Sequence, residues 1–165
     1  MIRSVSATTR PRRPDEIDGV HYRFLSPDEF ERLRTQNAFL ECFQVFGDGH
    51  WYGTLREPVV SALSSGKWVL LVIDVQGALA VQTEFPDAVS IFLLPKSWQE
   101  LEQRLRGRGT EPEEVLRVRL DRAAEELRLA EKYRYQVVND ELDQTVRDVI
   151  EILKKESADA SRSAN

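Results

Sequence analysis

Residues 69–78 read VLLVIDVQGA, and this stretch decides the fold class. The apolar run over 68–75 has the length of a strand and lacks polar alternation, which is typical of a strand covered on both faces in a parallel sheet. The carboxyl ends of such strands face the crevice in which α/β proteins bind ligands. Asp74, at that end, is therefore a candidate nucleotide or magnesium contact; the alternative, that it caps the following helix, stays open.

Strand and helix patterns alternate on both sides of this stretch. Apolar runs at 89–94 and 136–138 predict two more strands. Helix starts are predicted where a Ser or Thr is followed three residues later by Glu. The alternation predicts an α/β fold. The predicted helix starts are Ser26, Ser97 and Thr110, and further helices are predicted over 58–65, ending at Gly66, and from 143 to about 155.

Length and composition predict the domain organisation. The 165 residues, 41% of them hydrophobic, predict one compact domain over 1–155. Residues 18–54 are rich in aromatic side chains and contain one helix, and we expect a small mixed or antiparallel β insertion there. The stretch 156–165 is small and polar, which predicts a disordered tail.

Charge and residue usage exclude several classes of function. The formal net charge of −5 argues against broad nucleic-acid binding, which needs a surplus of Lys and Arg. No apolar stretch suits a membrane span or a secretory signal, so we expect a cytoplasmic protein without a membrane partner. One cysteine, Cys42, and two histidines are too few for a disulfide or a zinc centre, and we expect any metal to arrive with a ligand. The sequence predicts no oligomeric state.

The segment SVSATTRPRRP, residues 4–14, is a candidate phosphate site. Residues 1–13 contain four arginines and no acid in an otherwise acidic chain. Hydroxyl and forked guanidinium donors together suit a phosphate. The alternative is a solvated basic terminus, which composition alone favours. The candidate donors are Ser6, Thr8, Thr9, Arg10 and Arg13.

A second set, Tyr22, Glu41, Tyr52 and Thr54, places hydrogen-bonding side chains in an aromatic region. A carboxylate such as Glu41 is costly to bury unless it meets donors, and a guanine edge presents two N–H groups to it. The alternative is that Glu41 lies on the exposed face of a strand.

The segment 104–120, RLRGRGTEPEEVLRVRL, holds five arginines. Gly107 and Gly109 interrupt the helix around Arg108, and a mobile arginine can close over a phosphate. The surrounding charge balance is typical of a solvated helix with ion pairs, which is our interpretation for Arg106 and Arg117.

Taken in their order along the chain, these segments resemble the guanylate kinase family from Ile2 to about Lys155. The shared motifs are SVSATTRPRRP, DGVHYRF, FLE, YGT, IDVQGA, RLRGRGT and VVND. The resemblance implies a P-loop nucleoside monophosphate kinase fold, with a mostly parallel sheet between helices. It also implies a mixed β insertion that holds GMP and a helical lid over ATP, here 97–134.

The resemblance further implies transfer of the ATP γ-phosphoryl group to GMP, within purine nucleotide metabolism. ATP and its Mg²⁺ would act as co-substrate, with no tightly bound cofactor, and catalysis would consist of positioning and charge neutralisation. Implied guanine contacts are Ser6, Glu41 and Asp74. Implied GMP-phosphate contacts are Arg10, Arg13, Tyr22 and Tyr52, with help from Thr54. Implied phosphoryl-transfer residues are Arg104, Arg108 and Arg119, and Asn139 is implied beside the adenine.

Three departures from the family pattern accompany this resemblance. The 165 residues contain no G-x-x-x-x-G-K-[ST] segment, so we expect them to lack the first βα unit with its ATP-phosphate loop. Val72 stands where the family usually has an acid, and the link FGDGHWYG at 46–53 is slightly longer than usual.

Three hypotheses follow: a kinase whose first unit precedes Met1, a GMP-binding or protein-interaction module without turnover, and a nonfunctional remnant. The retained polar residues favour the first, because exposed positions of this kind contribute little to folding. We expect the 165 residues alone neither to phosphorylate GMP nor to fold with normal stability, because two strand edges would be unpaired.

Overall fold

The computed structural model describes residues 1–44, 49–107 and 113–163. The chain forms two compact units, 1–88 and 89–165, where the sequence predicted one domain. Strands and helices alternate and several strand pairs are parallel, which confirms the α/β class.

The first unit contains a four-stranded mixed sheet in the order β3-β2-β5-β4. β2 pairs in parallel with β3, whereas β5 is antiparallel to both β2 and β4. The predicted mixed insertion is therefore present, but it includes β2 and so begins before residue 18. The strands are β2 (Ala7–Thr8), β3 (Arg23–Phe24), β4 (Phe39–Gln44) and β5 (Trp51–Leu55), and β1 (Ile2–Arg3) precedes them.

Close packing fixes the register of β4 and β5. A Cβ atom at Gly53 would lie 2.8 Å from Cys42 Cβ and 2.9 Å from the Glu41 carbonyl oxygen, so only glycine fits there. The fully buried Phe30 stacks on Phe39 with ring centroids 4.4 Å apart, beside the equally buried Ala7. This cluster holds helix α1 against the sheet.

Local capping chemistry sets the helices of this unit. α1 (Pro27–Thr35) begins as predicted at Ser26, whose hydroxyl accepts from the Glu29 N–H at 3.2 Å. α2 (Arg56–Ser64) ends just before Gly66, which has φ +72° and turns the chain out of the helix.

The strand predicted over 68–75 is much shorter than expected. β6 covers only Val69–Leu70 and pairs in parallel with β1. Val72 is 65% exposed, so the prediction of burial on both faces is wrong here. In the described residues β6 has one strand neighbour, and 71–74 therefore continue without a ladder partner. α3 (Val75–Glu84) follows directly.

The second unit is built on two parallel strands, β7 (Ile91–Leu94) and β8 (Tyr135–Val138), which confirm the predicted strands at 89–94 and 136–138. α4 (Trp98–Gly107) begins at Ser97, whose hydroxyl accepts from the Glu100 N–H at 3.2 Å. The start predicted at Thr110 lies outside the described residues. The remaining elements between the strands are α5 (Glu113–Arg128) and a 3₁₀ turn (Leu129–Lys132).

The last helix, α6, covers Leu142–Ser163, which corrects the expectation of a disordered tail from 156. It packs on β8 through a buried polar contact, in which the Tyr135 hydroxyl donates to Glu156 Oε1 at 2.5 Å. Val146 and Ile150 on this helix are exposed, at 46% and 43%. No helix in the described part of the chain is long and apolar enough to cross a membrane.

Candidate functional site

A carboxylate anchors the arginine of the N-terminal segment. Arg10 donates from Nη1 and Nη2 to the two oxygens of Glu16, at 3.0 and 2.7 Å, and from Nη1 to the Pro11 carbonyl at 2.7 Å. Both side chains are mostly covered, with 13% and 12% exposed. Hydrogen bonds from Arg10 and from the Arg13 backbone N–H lower the pKa of Glu16 to about 2. Glu16 is thus ionised at any pH near neutral.

Arg10 also lies against aromatic rings. Its guanidinium carbon is 5.5 Å from the Tyr22 ring centre and 5.6 Å from that of Phe24, within cation–π range. The Tyr22 and Tyr52 rings meet edge to face at 6.0 Å. Glu16 first, and then the Tyr52 hydroxyl, raise the pKa of Arg10, which places Tyr52 beside the guanidinium. The structure therefore brings Arg10, Tyr22 and Tyr52 together.

The other donors predicted in this segment differ in their surroundings. The Thr8 hydroxyl is fully buried and accepts from the Arg10 N–H at 3.1 Å, and the Thr9 hydroxyl accepts from the Trp51 N–H at 2.9 Å. Both hydroxyls therefore accept from backbone N–H groups. Arg13 is exposed, and Ser6 is half-buried with its carbonyl accepting from the Arg23 N–H.

Glu41 lies inside the first unit. It is 8% exposed, so the alternative of an exposed strand position is wrong. It is paired across the sheet with the fully buried Thr54. Burial first, and then the nearby charge of Asp74, raise the pKa of Glu41. A carboxylate this poorly solvated is suited to an N–H donor from a ligand.

Asp74 and the first turn of α3 approach this carboxylate. Asp74 caps the helix, and its Oδ1 accepts from the Gly77 N–H at 2.8 Å. The capping role left open by the sequence is thus present, and it is compatible with a ligand contact by the same carboxylate. A Cβ atom at Gly77 would lie 2.8 Å from Glu41 Oε2, so glycine permits the approach.

Strand geometry places the Arg10–Tyr52 pair and the Glu41 carboxylate on one face of the sheet. Side chains two apart on a strand point the same way, and Tyr52 and Thr54 are two apart on β5. Tyr52 lies beside the Arg10 guanidinium and Thr54 opposite Glu41. The two positions are about 7 Å apart along the strand. This face therefore offers cationic and hydroxyl donors at one end and a carboxylate acceptor at the other.

Comparisons with known proteins show the family of the chain. The family model described as guanylate kinase matches residues 2–156. The chain belongs to the guanylate kinase family. It is 52% identical to a guanylate kinase from Rhodopirellula baltica over 151 residues, covering 91% of this chain and 72% of that protein. It is 49% identical to one from Sphingopyxis alaskensis, covering 93% and 69%.

A solved structure extends the likeness to three dimensions. The crystal structure of guanylate kinase from Anaplasma phagocytophilum superposes with a TM-score of 0.80 at 34% identity. The match covers 94% of this chain and 76% of that one. The guanylate kinase fold therefore extends over nearly all of the chain.

The second unit carries the remaining residues that the guanylate kinase resemblance implied. Arg104, on α4, forms an ion pair with Glu100 and donates from Nη2 to the Asn139 carbonyl at 3.2 Å, so these two predicted residues are neighbours. Asn139 follows β8, and its Oδ1 accepts from the Thr145 hydroxyl at 3.3 Å. Arg119 is half-buried on α5. Arg108 lies outside the described residues.

Arg106 behaves as a solvated helix residue. It forms ion pairs with Glu102 and Glu113, both at 2.9 Å, as the charge balance of the segment predicted. In the described residues no group of three or more His, Cys, Asp or Glu side chains could hold a metal ion.

Two residues that contact the candidate side chains were not predicted from the sequence. Glu16 follows the predicted segment 4–14, although Arg10, Arg13 and Glu16 recur every three residues. Gly77 was visible within IDVQGA, but its contact with Glu41 joins positions 36 residues apart, which no local pattern reveals.

Proposed function

We propose that the first unit binds GMP across the face formed by β4 and β5. Two groups on this face support the proposal. At one end Arg10 lies beside Tyr52, and at the other end the buried Glu41 lies opposite Thr54. A nucleoside monophosphate carries a dianion at one end and a base with its own hydrogen-bonding edge at the other. The face offers complementary groups for both ends.

The base would be distinguished by Glu41. Guanine presents two adjacent N–H donors, which a carboxylate accepts together, whereas adenine presents an acceptor nitrogen at the corresponding edge. Ser6 and Asp74 would add contacts to guanine, and Thr54 would assist. At the other end the phosphate would be held by Arg10, Arg13, Tyr22 and Tyr52.

The reaction would be phosphoryl transfer from ATP to GMP, giving ADP and GDP. A GMP phosphate oxygen forms a bond to the γ-phosphorus while the bond from that phosphorus to the β–γ bridging oxygen breaks, and the electron pair leaves with ADP. Arg104, Arg108 and Arg119 would neutralise charge on the transferred group, and Asn139 would lie beside adenine. The segment 97–134 would act as the lid of a P-loop kinase fold, and Mg²⁺ would enter with ATP.

Two measurements test the proposal on the full chain. Calorimetric titration should give GMP a clearly higher affinity than AMP or guanosine, and equal affinities would contradict the assignment of the site. Phosphorus NMR of a mixture with ATP, Mg²⁺ and GMP should show no GDP from the 165 residues alone, which contain no G-x-x-x-x-G-K-[ST] segment, and should show GDP and ADP forming when a first βα unit with that segment is placed before Met1. GMP binding without any GDP in that extended protein would select the alternative, a GMP-binding module without turnover.

A further inference from the structure

Glu16 receives an unusual number of bonds for a residue outside the proposed ligand contacts. Its carboxylate accepts from both Nη groups of Arg10 and, through Oε2, from the Arg13 backbone N–H at 2.8 Å. Its own carbonyl accepts from Arg12 Nη1 at 3.2 Å. A single acidic residue thus ties together all three arginines between residues 10 and 13.

The Arg10–Glu16 pair uses one end of the guanidinium group. The bonds to Glu16 and to the Pro11 carbonyl are made by the two terminal nitrogens, Nη1 and Nη2. They do not use Nε, which forms a second donor fork with the outer hydrogen of Nη2. The rings of Tyr22 and Phe24 lie within 5.6 Å of the guanidinium carbon and limit its movement. Arg10 is therefore held at one end while its Nε edge is not used by these bonds.

We propose that Glu16 is a positioning residue, which holds Arg10 and the Arg13 backbone in the arrangement that receives the GMP phosphate. This rests on the proposed function. An arginine fixed before binding loses less conformational freedom when a phosphate arrives, so the dianion is bound more tightly. The opposite expectation is that the Glu16 charge repels the phosphate, and then its removal would tighten GMP binding.

The test compares Glu16→Gln with Asp15→Asn, which removes the same charge from the exposed neighbouring residue. Glu16→Gln should weaken GMP binding by about tenfold, the loss of one strongly oriented charge-assisted contact, and leave guanosine binding unchanged. Asp15→Asn should change neither affinity appreciably. Tighter GMP binding in Glu16→Gln, or an equal loss for GMP and guanosine, would overturn the proposal.

A ligand-free measurement separates this inference from the proposed function. Nitrogen-15 relaxation of the Arg10 Nε–H group should show restricted motion in the unaltered protein and in Asp15→Asn, and faster motion in Glu16→Gln. An unchanged Arg10 signal in Glu16→Gln would show that Glu16 does not position it. If instead the signal responds as expected but the unaltered protein fails to bind GMP, the proposed function falls while the anchoring of Arg10 by Glu16 stands.

Discussion

Gly77 lies directly against the carboxylate of Glu41, so that a methyl group added to the glycine would sit 2.8 Å from Glu41 Oε2. The first turn of α3 and the middle of β4 meet at this point. Asp74 holds the turn in place by capping the Gly77 N–H. The position of the buried carboxylate therefore depends on a glycine far away in sequence.

Gly77→Ala tests this dependence. The added methyl group should displace the Glu41 carboxylate, because real Cβ atoms do not approach so closely, at a cost of about 1–3 kcal/mol typical of overpacking. We expect weaker binding of both GMP and guanosine by titration, with the fold retained by circular dichroism. Gly107→Ala is the control, because its Cβ would meet no atom within 4 Å. Unchanged guanosine affinity in Gly77→Ala would show that Gly77 does not set the position of the base-binding carboxylate.

Glu41→Gln should stabilise the free protein while damaging its ligand site. Burial raises the pKa of Glu41 in the folded state above its ordinary 4.5, so the ionised carboxylate disfavours folding at neutral pH. Stability of the unaltered protein should therefore fall as the pH rises from 4.5 through the folded pKa. Above that pH range the Glu41→Gln variant should be more stable than the unaltered protein, and below pH 4.5 the two should be equally stable. Denaturant unfolding at each pH measures this difference.

The same Glu41→Gln variant should lose discrimination between GMP and AMP. An unpaired buried group costs about 1–3 kcal/mol, which corresponds to roughly tenfold or more in affinity. Titration with both nucleotides measures this ratio. A retained preference for GMP would show that another group reads the base.

Arg10 and Arg13 should act on the phosphate alone. Arg10→Lys and Arg13→Lys should weaken GMP by about tenfold to a hundredfold, because a lysine lacks the planar fork, and should leave guanosine binding nearly unchanged. Arg12→Lys is the matched control in the same segment, because Arg12 is exposed and is not a proposed phosphate contact, and it should change neither affinity appreciably. Equal weakening of GMP and guanosine would indicate a folding defect instead.

The second unit offers a test of stability. The Tyr135 hydroxyl donates to Glu156, a carboxylate only 6% exposed that also pairs with Arg134 at 3.1 Å. Tyr135→Phe should cost about 1–3 kcal/mol of unfolding free energy, because the buried carboxylate loses a donor. In a Glu156→Gln background the cost should shrink, since a neutral acceptor binds the hydroxyl less strongly. An equal loss of unfolding free energy in both backgrounds would mean that the hydrogen bond between Tyr135 and the Glu156 carboxylate does not stabilise the fold.

Patterns local to the chain were sufficient to predict the family, the α/β class, the helix caps at Ser26 and Ser97, and the strands β7 and β8. These depend on motifs, or on residues near one another in the chain, where capping chemistry and apolar periodicity act locally. Glu41 was also recognisable as a candidate, but its burial was one of two alternatives.

Other features depend on how distant parts of the chain pack together. The length of β6 depends on which strands pair with it, so an apolar run over 68–75 could not predict two residues of strand. The bond between Tyr135 and Glu156 and the approach of Gly77 to Glu41 were likewise not visible in any local pattern. Such contacts join residues distant in sequence, and their geometry arises only when whole elements pack, because packing and desolvation act between surfaces rather than along the chain.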